Sequence, residues 1–476
     1  MTLAERLAQL EAAAAQPGGL TLRLVDQLTA DQPDLRRVLA AAAVPHWWDV
    51  SVLSKILDDD LAADAAAWVQ RLAALSVVED FRARPDARNV HEVTRLALRD
   101  ELHRSGHLAF LSARALAAFP APVADAPPAD HIEHLYHLLL ARPEEGAAAL
   151  ESRYGDWRDH GRWAAQLDLA AMLEEVLPLL APPARARALL RRASIRSDRR
   201  PLEEIEDQVT ESLQLFRSLT NEHAEAQALS FLAGLAQSHG SLNEARDLYT
   251  QCKTIRESLA ASDPTHATWQ EERAWTELAI GDIAKEQGNL AEALSAYNFG
   301  HVSFKRLAAS DPANAAWQRD LSVSLNKLGD LAVAQGDLAG ALRSFSQSKI
   351  IRERLAASDP ANAEWQRDLS VSLVKLGNLA VAQGDLAGAL RCFSESKTIA
   401  ERLAASDPAN AAWQRDLWVS YWRLADHCEK SGQAEEAKAW WQKAFDKLSG
   451  MKARGLHVSP EDLGFLERLR AKAGEK

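Results

Sequence analysis

The 476-residue sequence has little cysteine, few aromatic residues and no long apolar run. Its three cysteines, Cys252, Cys392 and Cys428, lie far apart and fit neither a disulfide framework nor a C-x-x-C metal pair. We therefore expect a reducing, cytoplasmic environment. No stretch reaches the roughly 18 consecutive apolar residues that a membrane-spanning helix needs, so the sequence predicts neither a signal peptide nor a transmembrane helix.

The sequence also lacks the local motifs of common enzymes. It contains no G-x-x-x-x-G-K-[ST] phosphate loop and no nucleophile elbow, and the His91-Glu92 pair has no second histidine at zincin spacing. His131 and His137 flank a third histidine, but on a helix these outer two point about 120° apart. No second cluster completes a metal ligand set. We therefore expect a protein that is not an enzyme and that binds no metal and no cofactor.

The sequence also has fewer basic residues than acidic ones. Lysine and arginine number 55 against 67 acidic residues, which gives a net charge of −12, and the basic residues are scattered among the acidic ones. A large nucleic-acid footprint needs clustered cations that displace counterions from the phosphates. The composition therefore disfavours nucleic acid as a partner.

What the sequence has instead is a repeat of 48 residues. Successive tryptophans at this spacing are Trp269, Trp317, Trp365 and Trp413. The segment around each is nearly the same, as in LAASDPANAEWQRDLSVS at 355–372. A constant period of this size predicts a solenoid of stacked helical hairpins, with the tryptophan ladder buried between units.

Each unit contains two predicted helices. Apolar residues recur every three or four positions over 365–380, and a similar stripe follows in the second half of the unit. We expect Gly384 to end the first helix and Asp385 to cap the second. Asp407 and Pro408 are expected to be the N-cap and first residue of the next unit. One hairpin cannot bury its own apolar face, so functional differences should lie where the copies disagree.

These units resemble the tetratricopeptide repeat (TPR) family. The family pattern of a Leu-Gly pair, a glycine before the second helix, and an alanine four residues before an aromatic residue is met by Leu376, Gly377, Gly384, Ala389 and Phe393. The same pattern recurs in the neighbouring units. The resemblance implies an all-α fold, a right-handed TPR-type α-solenoid whose hairpins are lengthened from the usual period of about 34 residues.

The front of the chain reads differently. Residues 31–106 contain short helices, then a proline-containing turn that could form a β-wing, then a helix that opens at His91-Glu92. This order resembles the winged-helix segment that follows the nucleotide-binding domain in STAND-class signalling NTPases. Because the chain lacks a phosphate loop, the resemblance implies that the chain either lost its NTPase domain or associates with a separate NTPase or effector chain.

Five segments are predicted along the chain. They are an N-terminal helical lead (1–30), a winged-helix-like domain (31–106), a helical connector (107–200), the TPR solenoid (201–449) and a C-terminal capping helix (450–476). For the capping helix, Ser459 is the expected N-cap, Pro460 the first helical residue, and Asp462 the residue that reaches back to the cap.

Candidate binding residues come from the positions at which near-identical units differ. The copies at 316–363 and 364–411 differ at seven of 48 positions, and two of these lie four residues apart on the first helix, hence on one face. In TPR proteins this face lines the concave groove. The resemblance therefore implies a peptide- or protein-binding groove, although drift at solvent-exposed positions is the alternative explanation. The predicted binding residues are Leu278, Asp282, Asn326, Asp330, Val374, Asn378, Trp422 and Asp426.

Two functions follow. The first is a non-enzymatic interaction module, a sensor or adaptor in a bacterial-type STAND signalling or defence system. Trp422 is then the anchor, Asn378 holds the peptide backbone as in similar proteins, and the ligand carries apolar side chains and some positive charge, because Lys285 is the one cation assigned to this face. The alternative is a DNA-binding transcriptional regulator with a TPR sensing array, although its recognition segment, 65–75, carries only Arg71 as a cation.

Overall fold

The structure is a computed structural model that describes residues 18–197 and 201–474. The chain divides into a front unit, Met1–Asp156 with Ala164–Arg196, and a solenoid unit, Trp157–Trp163 with Ser197–Lys476. Most of the predicted helical lead lies outside the described residues. The predicted segments 31–106 and 107–200 fall largely within the one front unit, and the division between them stays a prediction.

The front unit consists of short helices and one β-hairpin. Its elements are α1 (Gly19–Leu28), α2 (Pro33–Ala42), α3 (Val50–Ile56), α4 (Asp59–Ala62), α5 (Ala65–Ala73), β1 (Val78–Asp80), β2 (Arg88–Val90), α6 (Glu92–Arg104), α7 (Leu108–Ala118), α8 (Pro128–Ala141), α9 (Pro143–Asp159), α10 (Trp163–Val176) and α11 (Pro182–Arg196), with α9 and α10 running into the segment assigned to the solenoid unit. A 3₁₀ turn at Leu177–Leu179 precedes α11.

The hairpin pairs β1 with β2 antiparallel, with Val78 opposite Val90. Trp48 extends this pairing, because its backbone N–H donates to Arg88 and its carbonyl accepts from Arg88, both at 2.8 Å. The Trp48 side chain is fully buried and packs with Leu39 and other residues of the front core. Helices, hairpin and helix thus follow in the order predicted for residues 31–106, while a relation to the winged-helix segment of STAND proteins stays a prediction.

The solenoid unit is built of antiparallel helix pairs that stack in sequence order. Its helices are α12 (Leu202–Ser218), α13 (Glu222–Ser238), α14 (Leu242–Ser262), α15 (Ala267–Glu286), α16 (Leu290–Ser310), α17 (Ala315–Ala334), α18 (Leu338–Ser358), α19 (Ala363–Ala382), α20 (Leu386–Ser406), α21 (Ala411–Lys430), α22 (Ala434–Ala453) and the capping helix α23 (Pro460–Ala473). The first helices α15, α17, α19 and α21 have 20 residues each, and the second helices α16, α18 and α20 have 21. The all-α, TPR-type solenoid is confirmed.

The glycine of the repeat pattern has a packing role. A Cβ atom at Gly377 would collide with the Phe393 ring of the second helix, and one at Gly329 would collide with Phe345 in the same way. Only glycine therefore lets the aromatic ring lie directly on the first helix. This contact fixes the two helices of these units against each other.

One predicted helix start is confirmed and one is wrong. Gly384 has φ +79° just after the first helix, and Asp385 caps the second by accepting a hydrogen bond from the Gly388 N–H at 2.8 Å. Asp407, in contrast, follows the end of α20 and folds a turn by accepting from the Ala409 N–H. The N-cap of α21 is Asn410, because its side chain is the one within reach of a first-turn N–H.

The tryptophan ladder is buried less than predicted. Trp413 is 5% exposed, whereas Trp269, Trp317 and Trp365 are half-buried. The indole N–H of Trp317 donates to Glu271 at 2.9 Å, which keeps one edge of the ring at the surface. These side chains lie in the first turn of the first helices.

The capping helix begins as predicted, with Ser459 accepting a hydrogen bond from the Asp462 N–H at 3.1 Å. The Asp462 carboxylate does not return to the cap, because Arg415 donates to it at 2.6 and 2.9 Å. Among the described helices, none has the length and apolar character needed to cross a bilayer.

Candidate functional site

The eight predicted binding residues lie on the four first helices α15, α17, α19 and α21, and we call them the first-helix surface. Leu278 is 1% exposed and Asn326 is 7% exposed, so both side chains pack inside the repeats. Val374 and Trp422 are half-buried, and Asn378 is exposed. The accessible apolar and amide groups therefore lie in the two units that begin with α19 and α21.

Two acidic members of the surface are paired with lysines of the next unit. Lys327 Nζ lies 2.6 Å from Asp282 Oδ2, and Lys375 Nζ lies 2.7 Å from Asp330 Oδ1. Each pair joins one first helix to the first helix that follows it. Asp282 and Asp330 therefore link neighbouring repeats, and their charges are already balanced.

The third equivalent pair breaks this charge balance. Asn378 occupies the position of Asp330 and accepts a hydrogen bond from Arg423 Nη1 at 2.8 Å. Within residues 18–197 and 201–474, Arg423 forms no ion pair. Its guanidinium lies 5.3 Å from the centroid of the Trp422 ring. The surface thus changes from neutralised carboxylates to an arginine beside an indole.

The last unit differs because no further repeat follows it. Asp426 pairs with Lys430 of its own helix at 2.7 Å. The Trp422 ring meets Phe465 of the capping helix edge-on, with centroids 5.8 Å apart. One side of Trp422 is therefore covered by the capping helix, and the remainder stays accessible.

A second row of ion pairs also joins successive first helices. Its members are Arg319–Asp368, Arg367–Asp416 at 2.5 Å and Arg415–Asp462 at 2.6 Å. The row ends on the capping helix. Inter-repeat packing is therefore reinforced by charge along the length of these helices.

Sequence reasoning missed three cations of the first-helix surface. It assigned Lys285 alone, whereas Lys327, Lys375 and Arg423 also reach this face. The reason is the register between neighbouring first helices. Each acid or amide of this face pairs with a cation 45 residues further along the chain. That cation lies three residues, about one helical turn, before the equivalent position of the next repeat, which is 48 residues away. An acid or amide followed after 45 positions by a cation was the available signal. The charges of the first-helix surface therefore do not select a positively charged ligand.

The front unit contains a buried ionic cluster that no local sequence motif predicted. His46 Nδ1 lies 2.9 Å from Glu133, and His46 Nε2 lies 3.2 Å from Glu175. Arg95 pairs with Glu175 at 2.8 Å, and Arg99 binds the same carboxylate. We call these five residues the His46 cluster. Apart from Arg95 and Arg99, its members are far apart in the sequence, so spacing could not reveal the cluster.

Electrostatics keep the His46 cluster charged. Burial alone lowers the pKa of His46, but the carboxylates of Glu133 and Glu175 outweigh burial and raise this pKa to about 9. Against the opposing effect of burial, His46 and its neighbours lower the pKa of Glu133 and lower that of Glu175 to about 2. The cluster therefore connects α6, α8 and α10 to the loop after α2.

The three closely spaced histidines do not converge. His134 Nδ1 lies 2.8 Å from the Phe119 carbonyl, while His137 Nε2 lies 3.2 Å from Glu133. Across the described part of the chain, no group of three histidine, cysteine or acidic side chains is placed to hold a metal ion.

The predicted DNA-recognition segment forms α5 and the turn after it. Arg71, its one cation, lies 4.3 Å from the Trp68 ring centroid and donates to Gln32 at 2.7 Å. This arginine is therefore engaged within the front unit.

Together, the glycine–aromatic contacts and the ion-paired first helices define the solenoid unit as a TPR-type α-solenoid. No protein family model matches the chain, and no curated protein sequence matches it. Solved structures of TPR-like repeat proteins are similar in fold.

Three of these structures illustrate the likeness. A Rap protein complexed with Competence and Sporulation Factor is 10% identical, with 80% of this chain and 97% of that chain covered and a TM-score of 0.45. The apo quorum sensor NprR from B. thuringiensis is 14% identical, with 83% and 95% covered and a TM-score of 0.43. A tetratricopeptide repeat protein from Parabacteroides merdae is 14% identical, with 68% and 98% covered and a TM-score of 0.35.

Proposed function

We propose that this chain is a non-enzymatic protein-interaction module, a sensor or adaptor that binds an extended peptide or protein segment along the first-helix surface. The observation that carries the proposal is a local change in near-identical repeats. Asp330 is neutralised by Lys375, whereas the equivalent Asn378 is an uncharged amide, so Arg423 has no carboxylate within ion-pair distance in the described chain and is influenced only through space by Asp426 of its own helix.

The chemistry of this end of the surface suits a peptide. Val374 and Trp422 offer partly accessible apolar groups. The exposed Asn378 carboxamide can both donate to and accept from a peptide backbone. Arg423 adds a cation that a ligand carboxylate or carbonyl would balance. Aromatic residues in partly enclosed positions are the usual anchors of interfaces.

The front unit supports a narrower part of the proposal. A hairpin followed by a helix with His91 as its N-cap is the order that the winged-helix segment implies. Val93, two residues later, is 69% exposed. We infer that the surface around the hairpin and the start of α6, which includes Val93, contacts a separate NTPase or effector chain.

The test of the first-helix surface is a selection of phage-displayed random peptides of about 12 residues on the full chain. Selected peptides are then synthesised and titrated by fluorescence anisotropy. Replacing Trp422 by Ala should cost about 2 kcal/mol or more of binding, and Asn378→Ala about 1–2 kcal/mol.

Thermal melting provides the folding control, because Trp422 also packs on Phe465. Arg391→Glu, at an exposed site on second helix α20, is the control for binding. If every selected peptide binds both first-helix variants as tightly as the wild type, the ligand surface lies elsewhere.

A further inference from the structure

A second candidate surface lies on the solenoid unit, formed by different residues from the first-helix surface. It is a pocket of roughly 270 Å³ between second helices α16 and α18, with first helix α17 beneath it. We call it the second-helix pocket. Its lining residues are His301, Lys305, Leu321, Leu325, Gln347, Ile350 and Ile351.

The size and lining of the pocket suit protein side chains. Its volume lies just below the roughly 300–1,000 Å³ of sites that enclose small-molecule ligands. Four of its residues are aliphatic, and Ile350 is 56% exposed. Val302, next to His301, is 65% exposed. Covering these aliphatic groups would remove apolar surface from water, which favours association.

The charged groups of this pocket differ from those of the following units. There, a lysine and a glutamate one turn apart form an ion pair: Lys349–Glu353 at 2.5 Å and Lys397–Glu401 at 3.3 Å. Helix α16 has His301 and Lys305 at these two positions. Lys305 is exposed and has no ion-pair partner among the residues that the structure describes. The exchange therefore replaces a balanced pair by an unbalanced cation at an apolar pocket.

The preceding unit closes the equivalent groove. Arg273 and Glu277 stand where the pocket has Leu321 and Leu325. Arg273 pairs with Glu257 at 3.1 Å, and Glu277 pairs with a lysine at 2.8 Å. The apolar floor is therefore absent one repeat earlier, although the helices stack in the same way.

A further substitution positions His301. The second helices on either side have a buried arginine, and in α18 this Arg352 contacts Ser372 at 3.3 Å. Helix α16 has the buried Phe304 at the position of this arginine. Ser324, which is equivalent to Ser372, therefore has no arginine to contact. His301 contacts it instead, with His301 Nδ1 3.1 Å from the Ser324 hydroxyl oxygen. The ring is thus held at the pocket wall, with its second nitrogen remaining as a polar group.

We propose that the second-helix pocket binds a protein segment that presents a large apolar side chain beside a carboxylate. The apolar side chain packs on Leu321, Leu325 and Ile351, and the carboxylate pairs with Lys305 while His301 supplies a second polar contact. The charge of the pocket selects an acidic segment and disfavours a basic one. This surface belongs to the proposed interaction module but is independent of Trp422 and Asn378.

The test uses the phage-selected peptides and the full chain. The double variant His301→Lys/Lys305→Glu gives α16 the same residue pair as α18 and α20, so the variant keeps a sequence that the repeats already accommodate. Ile350→Thr introduces the residue that the next unit has at this position. Arg391→Glu is the matched control, and circular dichroism checks the fold of each variant.

We expect peptides with leucine, isoleucine or phenylalanine near aspartate or glutamate to be enriched. Their affinity should fall about tenfold in His301→Lys/Lys305→Glu and several-fold in Ile350→Thr, weaken with added salt, and stay within about twofold in Arg391→Glu and Trp422→Ala. A selection without enrichment, or acidic peptides that bind the double variant like the wild type, would overturn this proposal. Loss of binding in Trp422→Ala alone would support the first-helix surface and refute the pocket.

Discussion

At the scale of single residues, one difference between repeats changes the electrostatics of a contact that recurs between neighbouring first helices. Asp330 and Asn378 occupy equivalent positions and face a cation of the next unit at nearly the same distance, 2.7 and 2.8 Å. The aspartate neutralises Lys375, whereas the amide leaves the charge of Arg423 in place. The exchange of a carboxylate for an amide therefore alters the electrostatics of the surface, while one hydrogen bond between the neighbouring first helices is kept.

Asn326 permits a test of packing at this scale. Its Oδ1 atom is buried and has no hydrogen-bond partner among the described residues, and the equivalent residue of the next unit is Val374. Asn326→Val should raise the free energy of unfolding by about 1 kcal/mol, because it removes an unsatisfied buried polar atom. Urea unfolding of the full chain measures the change.

The matched comparison is Asn326→Ala, which removes the amide but leaves a void. It should be less stable than Asn326→Val. A loss of stability in the valine variant would mean that the amide makes a stabilising interaction through its nitrogen.

At the scale of secondary-structure elements, the first helices are joined by two rows of polar pairs with different offsets. Lys375–Asp330 belongs to the first row and Arg367–Asp416 to the second. Both pairs are partly buried, so salt screens them less than it screens fully exposed pairs. The rows help to fix the register between units whose apolar faces are nearly identical.

A double-mutant cycle measures one of these pairs. Arg367→Ala, Asp416→Ala and the double variant should give a coupling free energy of about 1 kcal/mol, at the upper end for partly exposed ion pairs. Chemical unfolding at low and high salt provides the measurement, and the coupling should shrink at high salt. A coupling indistinguishable from zero at low salt would show that apolar packing alone sets the register.

At the scale of the whole molecule, each unit has its own means of stabilisation. The solenoid unit repeats one packing arrangement, whereas the front unit has a core around Trp48 and the His46 cluster. Members of that cluster come from both predicted front segments, since His46 and Arg95 lie in 31–106 while Glu133 and Glu175 lie in 107–200. These two segments are therefore held together by charge as well as by apolar contacts.

The pKa of His46 predicts how the stability of the front unit depends on pH. It rises from 6.5 to about 9 on folding, so the stabilisation from protonated His46 is fully present below pH 6.5 and is lost as the pH rises through about 9. His46→Gln should therefore cost about 2–3 kcal/mol near pH 6 and much less near pH 9.5.

Thermal melting of wild type and His46→Gln across this range measures the difference. His134→Gln is the control, because His134 bonds a backbone carbonyl outside the cluster. A difference between wild type and His46→Gln that stays constant with pH would show that His46 contributes by packing and not by charge.

The sequence by itself determined the repeat architecture. The 48-residue period, the Gly377–Phe393 spacing and the Asp385 cap depend on residues that are neighbours in the chain or recur at a fixed interval, so their physical consequences are local. The helix start at Asp407 was predicted wrongly because both Asp407 and Asn410 can cap, and only the path of the loop decides which reaches the first turn.

Only the tertiary structure decided which side chains are available for binding. Leu278, Asn326, Val374 and Trp422 occupy the same position in successive 48-residue repeats, yet the first two are buried and the last two are only half-buried. The pairing at 45 positions, the His46 cluster and the second-helix pocket all bring together residues whose contact depends on how helices are set against one another. Local periodicity fixes which face of a helix is apolar, but the stagger between helices sets which polar groups meet, and that stagger follows from packing of the whole array.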